Sequence, residues 1–149
     1  MKHIVLILSF LLAATFAYAD SGSFFGVRTG YYTDAEGVFL GGEYLTGIAQ
    51  SVDFNPNIEY VFVDNMTLMT FNIDAHYDFY EKRGKFVYLG AGLGFAYTKV
   101  DGFDKSDTKT GLNLLFGTGI NRKPVIPYFQ AKIMLGDVDD FVLTFGLRF

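Results

Sequence analysis

The chain has 149 residues, of which 50% are hydrophobic and 18% aromatic, and it contains 17 glycines and no cysteine. This composition is too apolar for a disordered chain, and the lack of cysteine excludes disulfides, thiolate metal sites and a cysteine nucleophile. The formal net charge of −4 leaves no basic surplus to neutralise a phosphate backbone, so we expect no nucleic-acid partner.

Residues 1–19 have the pattern of a secretory signal peptide. A short basic start precedes an apolar run from Ile4 to Ala14, and Ala17-Tyr18-Ala19 has the small residues of a cleavage site. The run is shorter than the roughly 20 residues of a membrane-spanning helix, although a retained anchor is the alternative reading. We therefore predict export of a mature chain, residues 20–149, that forms one domain.

From Ser23 onward, apolar residues recur at every second position in stretches that are separated by turn-forming residues. The pattern predicts eight strands, which run approximately Phe24–Thr33, Val38–Ile48, Asn57–Val63, Met66–Tyr80, Phe86–Val100, Thr110–Asn121, Pro127–Leu135 and Phe141–Phe149. Connections such as Asp64-Asn65 are typical of hairpins, and the stretch from Asp101 to Lys109 is the longest predicted loop. The spacing fits an all-β, antiparallel, up-and-down barrel of eight tilted strands that cross a bilayer.

The two faces of the predicted strands differ in chemistry. One face carries large apolar residues such as Phe71, Leu93 and Leu143, and the other mixes polar residues with many glycines, among them Gly92 and Gly94. The interior of an eight-stranded barrel holds only side chains, so the glycine-rich polar face is predicted to point inward. A soluble, lipocalin-like barrel is the alternative, but it would reverse the faces and expose a large apolar band to water.

Charged residues of the polar face are predicted to form an ionic network near mid-barrel, together with His76. Three are positive and three negative: Arg28, Glu43, Glu59, Asp74, Lys132 and Arg148. We interpret His76 as an interior histidine with satisfied hydrogen bonds. His76 and Asp78 alone fall short of the three or four ligands of a metal site, so we expect no metal and no cofactor.

The glycines leave open whether the barrel is closed. The barrel has no passage if large inward residues fill the gaps opposite Gly90, Gly92 and Gly94, and it keeps a cavity if they do not. The large inward residues considered for these gaps are Phe24, Tyr32, Phe39, Tyr80 and Tyr88.

The chain resembles the small outer-membrane β-barrel families typified by OmpX and the OmpA transmembrane domain. The resemblance lies in the leader-like segment, the eight alternating strands and the closing strand FVLTFGLRF. These families belong to the porin-like proteins of Gram-negative bacteria. Phe145, Leu147 and Phe149 share one face, similar to the C-terminal signal that the outer-membrane assembly machinery recognises. The glycine of that signal usually lies further from the end than Gly146. Tryptophan is absent, which leaves Tyr and Phe to form the interfacial girdles.

The resemblance implies a monomeric, integral outer-membrane protein that contacts membrane lipid and lipopolysaccharide, with both termini on the periplasmic side. The periplasmic turns are then basic, with Lys82, Arg83, Lys85, Arg122 and Lys123. The outer loops are acidic, with Asp34, Glu36, Asp64, Asp101, Asp104, Asp107, Asp137, Asp139 and Asp140. This acidic rim can attract Ca²⁺ or Mg²⁺, although turn geometry explains the same residues without any ligand.

Two functions remain open from the sequence. The first is a structural or surface-interaction protein with a polar, plugged interior, and the second is an outer-membrane pore or transporter for small solutes. A lipid A modifying enzyme is a less favoured third, because barrel enzymes of that class need a serine activated by histidine. The deacylase pattern has serine two residues after its histidine, where this chain has Asp78, so we predict no catalytic residue.

Overall fold

The computed structural model describes residues 22–149, and the predicted signal peptide at residues 1–19 lies outside the described residues. The eight strands are β1 (Ser23–Tyr32), β2 (Gly37–Ala49), β3 (Val52–Val63), β4 (Met66–Lys82), β5 (Lys85–Val100), β6 (Ser106–Ile120), β7 (Ile126–Gly136) and β8 (Asp140–Arg148). Each strand pairs antiparallel with the next, and β1 pairs with β8, so the sheet closes. The predicted eight-stranded barrel is confirmed.

The barrel has two ends. The loop end carries the connections at residues 33–36, 64–65, 101–105 and 137–139, and the turn end carries those at residues 50–51, 83–84 and 121–125. Ser23 and Phe149 also lie at the turn end, because β1 starts and β8 finishes there. In the β4–β5 turn, Arg83 and Gly84 both have positive φ, as a two-residue type I′ hairpin requires.

The alternation of side chains produces an apolar outside and a largely polar inside. Outward residues of mid-strand such as Phe71, Phe116 and Leu143 are about half exposed, whereas the inward Glu59 and Lys132 are fully buried. Strands of period two present alternate residues to opposite faces, so this inversion follows directly from the sequence pattern. No helix among residues 22–149 is long and apolar enough to cross a membrane.

Two strands begin four or five residues earlier than the sequence suggests. β3 starts at Val52 rather than Asn57, because Pro56 lies where the β2–β3 pairing is interrupted, a position that does not need its missing N–H. β6 starts at Ser106 rather than Thr110, because Ser106 and Asp107 pair with Lys99 and Thr98 of β5. The loop predicted from Asp101 to Lys109 is therefore only residues 101–105.

An apolar cluster fills the barrel interior directly below the loop end. It consists of Tyr32, Phe39, Val61, Met134 and Val142, each no more than 1% exposed. The inward face is therefore polar only in its middle and lower parts. Sequence reasoning missed Val61, Met134 and Val142, since they stand at inward positions of strands whose other inward residues are polar.

Candidate functional site: the barrel interior

A continuous chain of ion pairs crosses the middle of the barrel. Lys132 Nζ lies 3.1 Å from Glu59 Oε2, and Glu59 Oε1 lies 3.0 Å from Arg28 Nη2, a contact without hydrogen-bond geometry. Arg28 Nη1 lies 3.5 Å from Glu43 Oε2, and Arg148 Nε donates to Glu43 Oε1 at 2.9 Å. These side chains are at most 3% exposed. The structure thus brings five of the six charged residues into one network.

Glycines make room for these contacts. In the cross-strand register Gly26 lies between Glu43 and Arg148, and Gly41 lies between Arg28 and Glu59. A Cβ at Gly26 would stand 2.7 Å from Glu43 Oε1. The missing side chains let the charged groups of next-nearest strands reach each other across the intervening strand.

The sixth charged residue, Asp74, is held by amides instead of by a cation. Its Oδ2 accepts from Asn57 Nδ2 at 3.0 Å, and its Oδ1 accepts from Asn113 Nδ2 at 2.9 Å. Asn57 also donates to Asn55 Oδ1, and Asn55 donates to Glu43 Oε2 at 2.9 Å. Among residues 22–149 Asp74 has no ion pair, so its carboxylate joins the network only through these neutral donors.

Glu59 is in contact with four polar side chains of the interior. Besides its two cations, its Oε2 accepts from the hydroxyl of Tyr32 and from Thr70 Oγ1. Tyr32 belongs to the apolar cluster, so this hydrogen bond joins the cluster to the ion pairs. The sequence placed Tyr32 inside but did not identify its carboxylate partner.

Aromatic rings fill the interior toward the turn end. The Arg148 guanidinium lies 4.0 Å from the Tyr128 ring centroid, and the His76 ring stacks on Tyr88 at 4.5 Å. Tyr128 lies over Gly146 and Tyr88 over Gly117, where a Cβ would come within 2.2 and 2.1 Å of the rings. A tyrosine ring on one strand thus occupies the space beside a glycine on the neighbouring strand.

Two interior expectations need correction. His76 is buried and stacked, but its Nε2 has no hydrogen-bond partner among the described residues, because the ring is placed by stacking rather than by a polar acceptor. Tyr80 is 47% exposed rather than inward, because the register of β4 shifts between Asp78 and Tyr80.

The gaps opposite the β5 glycines are not filled by the aromatic candidates that the sequence offers. Positions where Cβ atoms would stand at Gly90, Gly92 and Gly94 are approached by Leu115, Asp74 and Met134 respectively. Tyr88 and Phe39 fill space over Gly117 and Gly30 instead. Barrel register, which the sequence pattern does not reveal, decides which side chain covers each glycine.

No serine among the described residues is hydrogen-bonded to His76. The Ser23 hydroxyl pairs with Thr46 Oγ1 at 2.9 Å, and Ser51 and Ser106 lie at opposite ends of the barrel. Within residues 22–149, three or more His, Asp or Glu side chains never gather in a geometry that suits a metal ion.

The acidic rim differs from the expected open ring of carboxylates. Asp140 is buried at the start of β8, where its carboxylate accepts from the backbone N–H groups of Asp34 at 3.0 Å and Ala35 at 3.1 Å. Asp139 Oδ1 accepts from the N–H of Gly136 at 3.1 Å. Asp139 and Asp140 therefore accept hydrogen bonds from the backbone at the loop end, and Asp140 is not a rim residue.

The final strand presents Phe145, Leu147 and Phe149 on the outward face, as the alternation predicted. The N–H of Phe149 donates to the carbonyl of Phe25 at 2.7 Å, and the N–H of Phe25 donates back at 3.2 Å. These two hydrogen bonds close the seam between β1 and β8 at the turn end.

The comparisons with known proteins bear on the fold. The chain matches no protein-family model, and none of the curated proteins matches it. Among solved structures it is similar to the N-terminal β-barrel domain of OprF from Pseudomonas aeruginosa, with 16% identity over 86% of this chain and 96% of that one and a TM-score of 0.68.

Two further solved structures are similar. Neisserial surface protein A has 19% identity over 85% of this chain and 92% of its own, with a TM-score of 0.64. The Yersinia pestis outer membrane protein Ail in a phospholipid bilayer nanodisc has 16% identity over 87% of this chain and all of its own, with a TM-score of 0.50. This chain therefore has the fold of the small eight-stranded outer-membrane β-barrels.

Proposed function

We propose that this chain is an integral outer-membrane β-barrel protein with a structural or surface-interaction role and no catalytic activity. The observation that carries the proposal is the inversion of polarity, with apolar residues outside and a buried ion-pair chain inside. In water such a surface would expose a continuous apolar band, whereas in a bilayer the closed barrel satisfies its backbone internally. The similar solved structures support the same environment.

We also propose that the barrel is closed to solutes. The apolar cluster of Phe39, Val61 and Val142 lies below the loop end, the ion pairs span the middle, and the tyrosines occupy the lower part. A path for water or solutes would have to cross all three layers. The interior therefore supports a stabilising role rather than transport.

A small-solute pore is the second candidate, and one observation favours it. The buried atoms Gln130 Nε2 and Thr144 Oγ1 have no hydrogen-bond partner among residues 22–149, as is expected where water enters. Planar-bilayer conductance distinguishes the two. We expect negligible conductance for the wild type and a measurable one for Lys132→Ala, while a conducting wild type would favour the pore.

The loops limit what a surface-interaction role can involve. The connections of the loop end contain two to five residues each, and Phe103 at the tip of the longest is 68% exposed. Such short loops support contact with lipopolysaccharide and neighbouring membrane components rather than a large adhesive surface. We further propose that the protein is a monomer and that the assembly machinery recognises its last strand.

The location is tested by fractionation and by gel mobility. We expect the protein in the outer-membrane fraction, with a folded band in detergent that shifts only after boiling, because all strands of a closed barrel are paired. Recovery in the soluble periplasmic fraction, or equal mobility before and after boiling, contradicts the proposed function.

A further inference from the structure

A groove on the outer surface crosses four strands of the barrel. It has a volume of about 500 Å³ and lies over β6, β7, β8 and β1. Two successive rows of outward residues form it: Thr118, Phe129, Phe145 and Thr29 in the first, and Phe116, Ala131, Leu143 and Tyr31 in the second.

The groove is formed by small side chains that lie beside large ones. Ala131 and Thr118 are small and lie beside the rings of Phe116 and Phe129, their cross-strand partners. Phe129 and Phe145 pack against each other with centroids 5.0 Å apart, which fixes one wall. The lining is almost entirely hydrocarbon, so it suits an apolar chain and offers little to a polar ligand.

Unpaired cations lie next to the groove on its turn-end side. Ile120 is two residues beyond Thr118, about 7 Å along the strand. It pairs with Lys85, which pairs with Lys82, so both lysines share the outward face of Ile120. Arg122 follows in the exposed β6–β7 connection. None of the ion pairs among residues 22–149 involves these three cations.

The groove fits within one membrane leaflet. From Ile120 to Phe116 is four residues, or about 13 Å along the strand. Barrel strands are tilted by roughly 35 to 45°, so this length spans about 10 Å along the membrane normal, within the roughly 15 Å of half a hydrocarbon core. An acyl chain that lies in the groove therefore places its phosphate at the level of the cations. Arg and Lys bind phosphate through charge-assisted hydrogen bonds.

We propose that the groove is a binding site for an anionic phospholipid, with an acyl chain against Ala131 and Thr118 and the phosphate bound by Lys82, Lys85 and Arg122. The proposal rests on the proposed function, because it requires the turn end to face the phospholipid leaflet. Lipopolysaccharide lies at the opposite, acidic end of the barrel in that orientation, so the charge distribution favours a phospholipid.

The experiment titrates the detergent-purified, folded barrel with dioleoyl phosphatidylglycerol or dioleoyl phosphatidylcholine and counts bound lipids by native mass spectrometry. We expect one preferred lipid and tighter binding of phosphatidylglycerol. Ala131→Leu fills the groove and should weaken binding of both lipids. Lys85→Gln/Arg122→Gln should remove the preference for phosphatidylglycerol, since each cation near a phosphate layer contributes about fivefold in affinity.

Two matched controls separate the site from general lipid contact. Ala91→Leu adds the same bulk on the lipid-facing side of β5, outside the groove, and Lys105→Gln/Lys109→Gln removes two cations from the loop end. Both should bind as the wild type does. Equal binding of the two lipids by the wild type, or equal losses in variants and controls, overturns the proposal.

Two further measurements distinguish a phospholipid from a simple anion, and a failed lipid site from a failed membrane barrel. Sodium phosphate at matched ionic strength should not compete beyond the effect of sodium chloride, because it lacks the acyl chain. Competition at low phosphate concentration would instead reveal a simple anion site and overturn the phospholipid proposal. The heat-dependent gel shift is measured on the same samples, so loss of lipid preference with a normal shift contradicts this site and not the membrane barrel.

Discussion

Lys132 and Glu59 stand on opposite walls of the barrel, and their charged atoms are 3.1 Å apart. Lys132 belongs to β7 and Glu59 to β3, so three strands separate them on either side of the closed sheet. The bore is therefore narrow enough for two long side chains to meet at its centre. Contacts of this kind hold opposite walls of the barrel together. Their loss should therefore lower the free energy of unfolding.

Glu59→Ala should be strongly destabilising. The change leaves Arg28 and Lys132 buried with one carboxylate fewer, and breaking one side of a buried pair typically costs about 3 to 5 kcal/mol. Unfolding by urea or guanidinium in lipid vesicles measures the effect. Glu36→Ala, in an exposed loop, is the control and should change stability by less than about 0.5 kcal/mol.

The double variant Glu59→Ala/Lys132→Ala sharpens that test. If the two side chains interact, the double variant loses less stability than the sum of the two single losses. Additive losses would show that the pair is not energetically coupled.

Gly117→Ala should destabilise the barrel by about 1 to 3 kcal/mol through overpacking. Its new Cβ would stand 2.1 Å from the Tyr88 ring, which cannot move away without disturbing its stack on His76. Tyr88→Leu in the same chain should restore part of the loss. Gly42→Ala is the control, because its Cβ meets no atom closer than 3.9 Å. Equal stability of the two alanine variants would contradict the complementary packing.

Asp140→Ala should loosen the first loop. The carboxylate accepts two backbone hydrogen bonds from Asp34 and Ala35, and a hydrogen bond to a charged group contributes about 1.5 to 3 kcal/mol. We expect faster proteolytic cleavage within residues 33–36 and a lower unfolding midpoint. Asp137→Ala, at an exposed residue of the adjacent connection 137–139, should leave both unchanged. Identical cleavage rates in the two variants would refute a clamping role for Asp140.

Deleting Phe149 and changing it to alanine should have different effects. Deletion removes the two backbone hydrogen bonds to Phe25, worth about 0.5 to 1.5 kcal/mol each, and lowers the stability of the refolded barrel. Phe149→Ala keeps these backbone hydrogen bonds, so the stability in vesicles should change little. The amount of barrel assembled in cells should fall. Comparable stability losses in both variants would assign the residue a structural role only.

Much of the fold was predictable because a two-residue period specifies which face each side chain occupies. Arg28, Glu43, Glu59, Lys132 and Arg148 were assigned to the interior on that basis alone. The period also accounts for a missed residue: Asn55 has the same parity as Glu59, but it lies outside the predicted strand, which begins at Asn57.

The partners inside the barrel were not predictable in the same way. Contacts such as Lys132 to Glu59 depend on the shear of the closed sheet, which sets the heights at which inward residues of different strands meet. Shear is a property of all eight registers together, and no local pattern encodes it. The same reason explains why Leu115 and Met134, rather than the candidate aromatics, approach Gly90 and Gly94.

The pair of Glu43 and Arg148 joins residues that are 105 positions apart, one in the second strand and one at the end of the last. During synthesis the glutamate therefore exists long before its partner does. A prematurely terminated chain that lacks β8 would bury three carboxylates with only two cations, Arg28 and Lys132, to balance them. We therefore expect a chain without β8 to be less stable than the closed barrel, because it has both unpaired strand edges and an uncompensated buried charge.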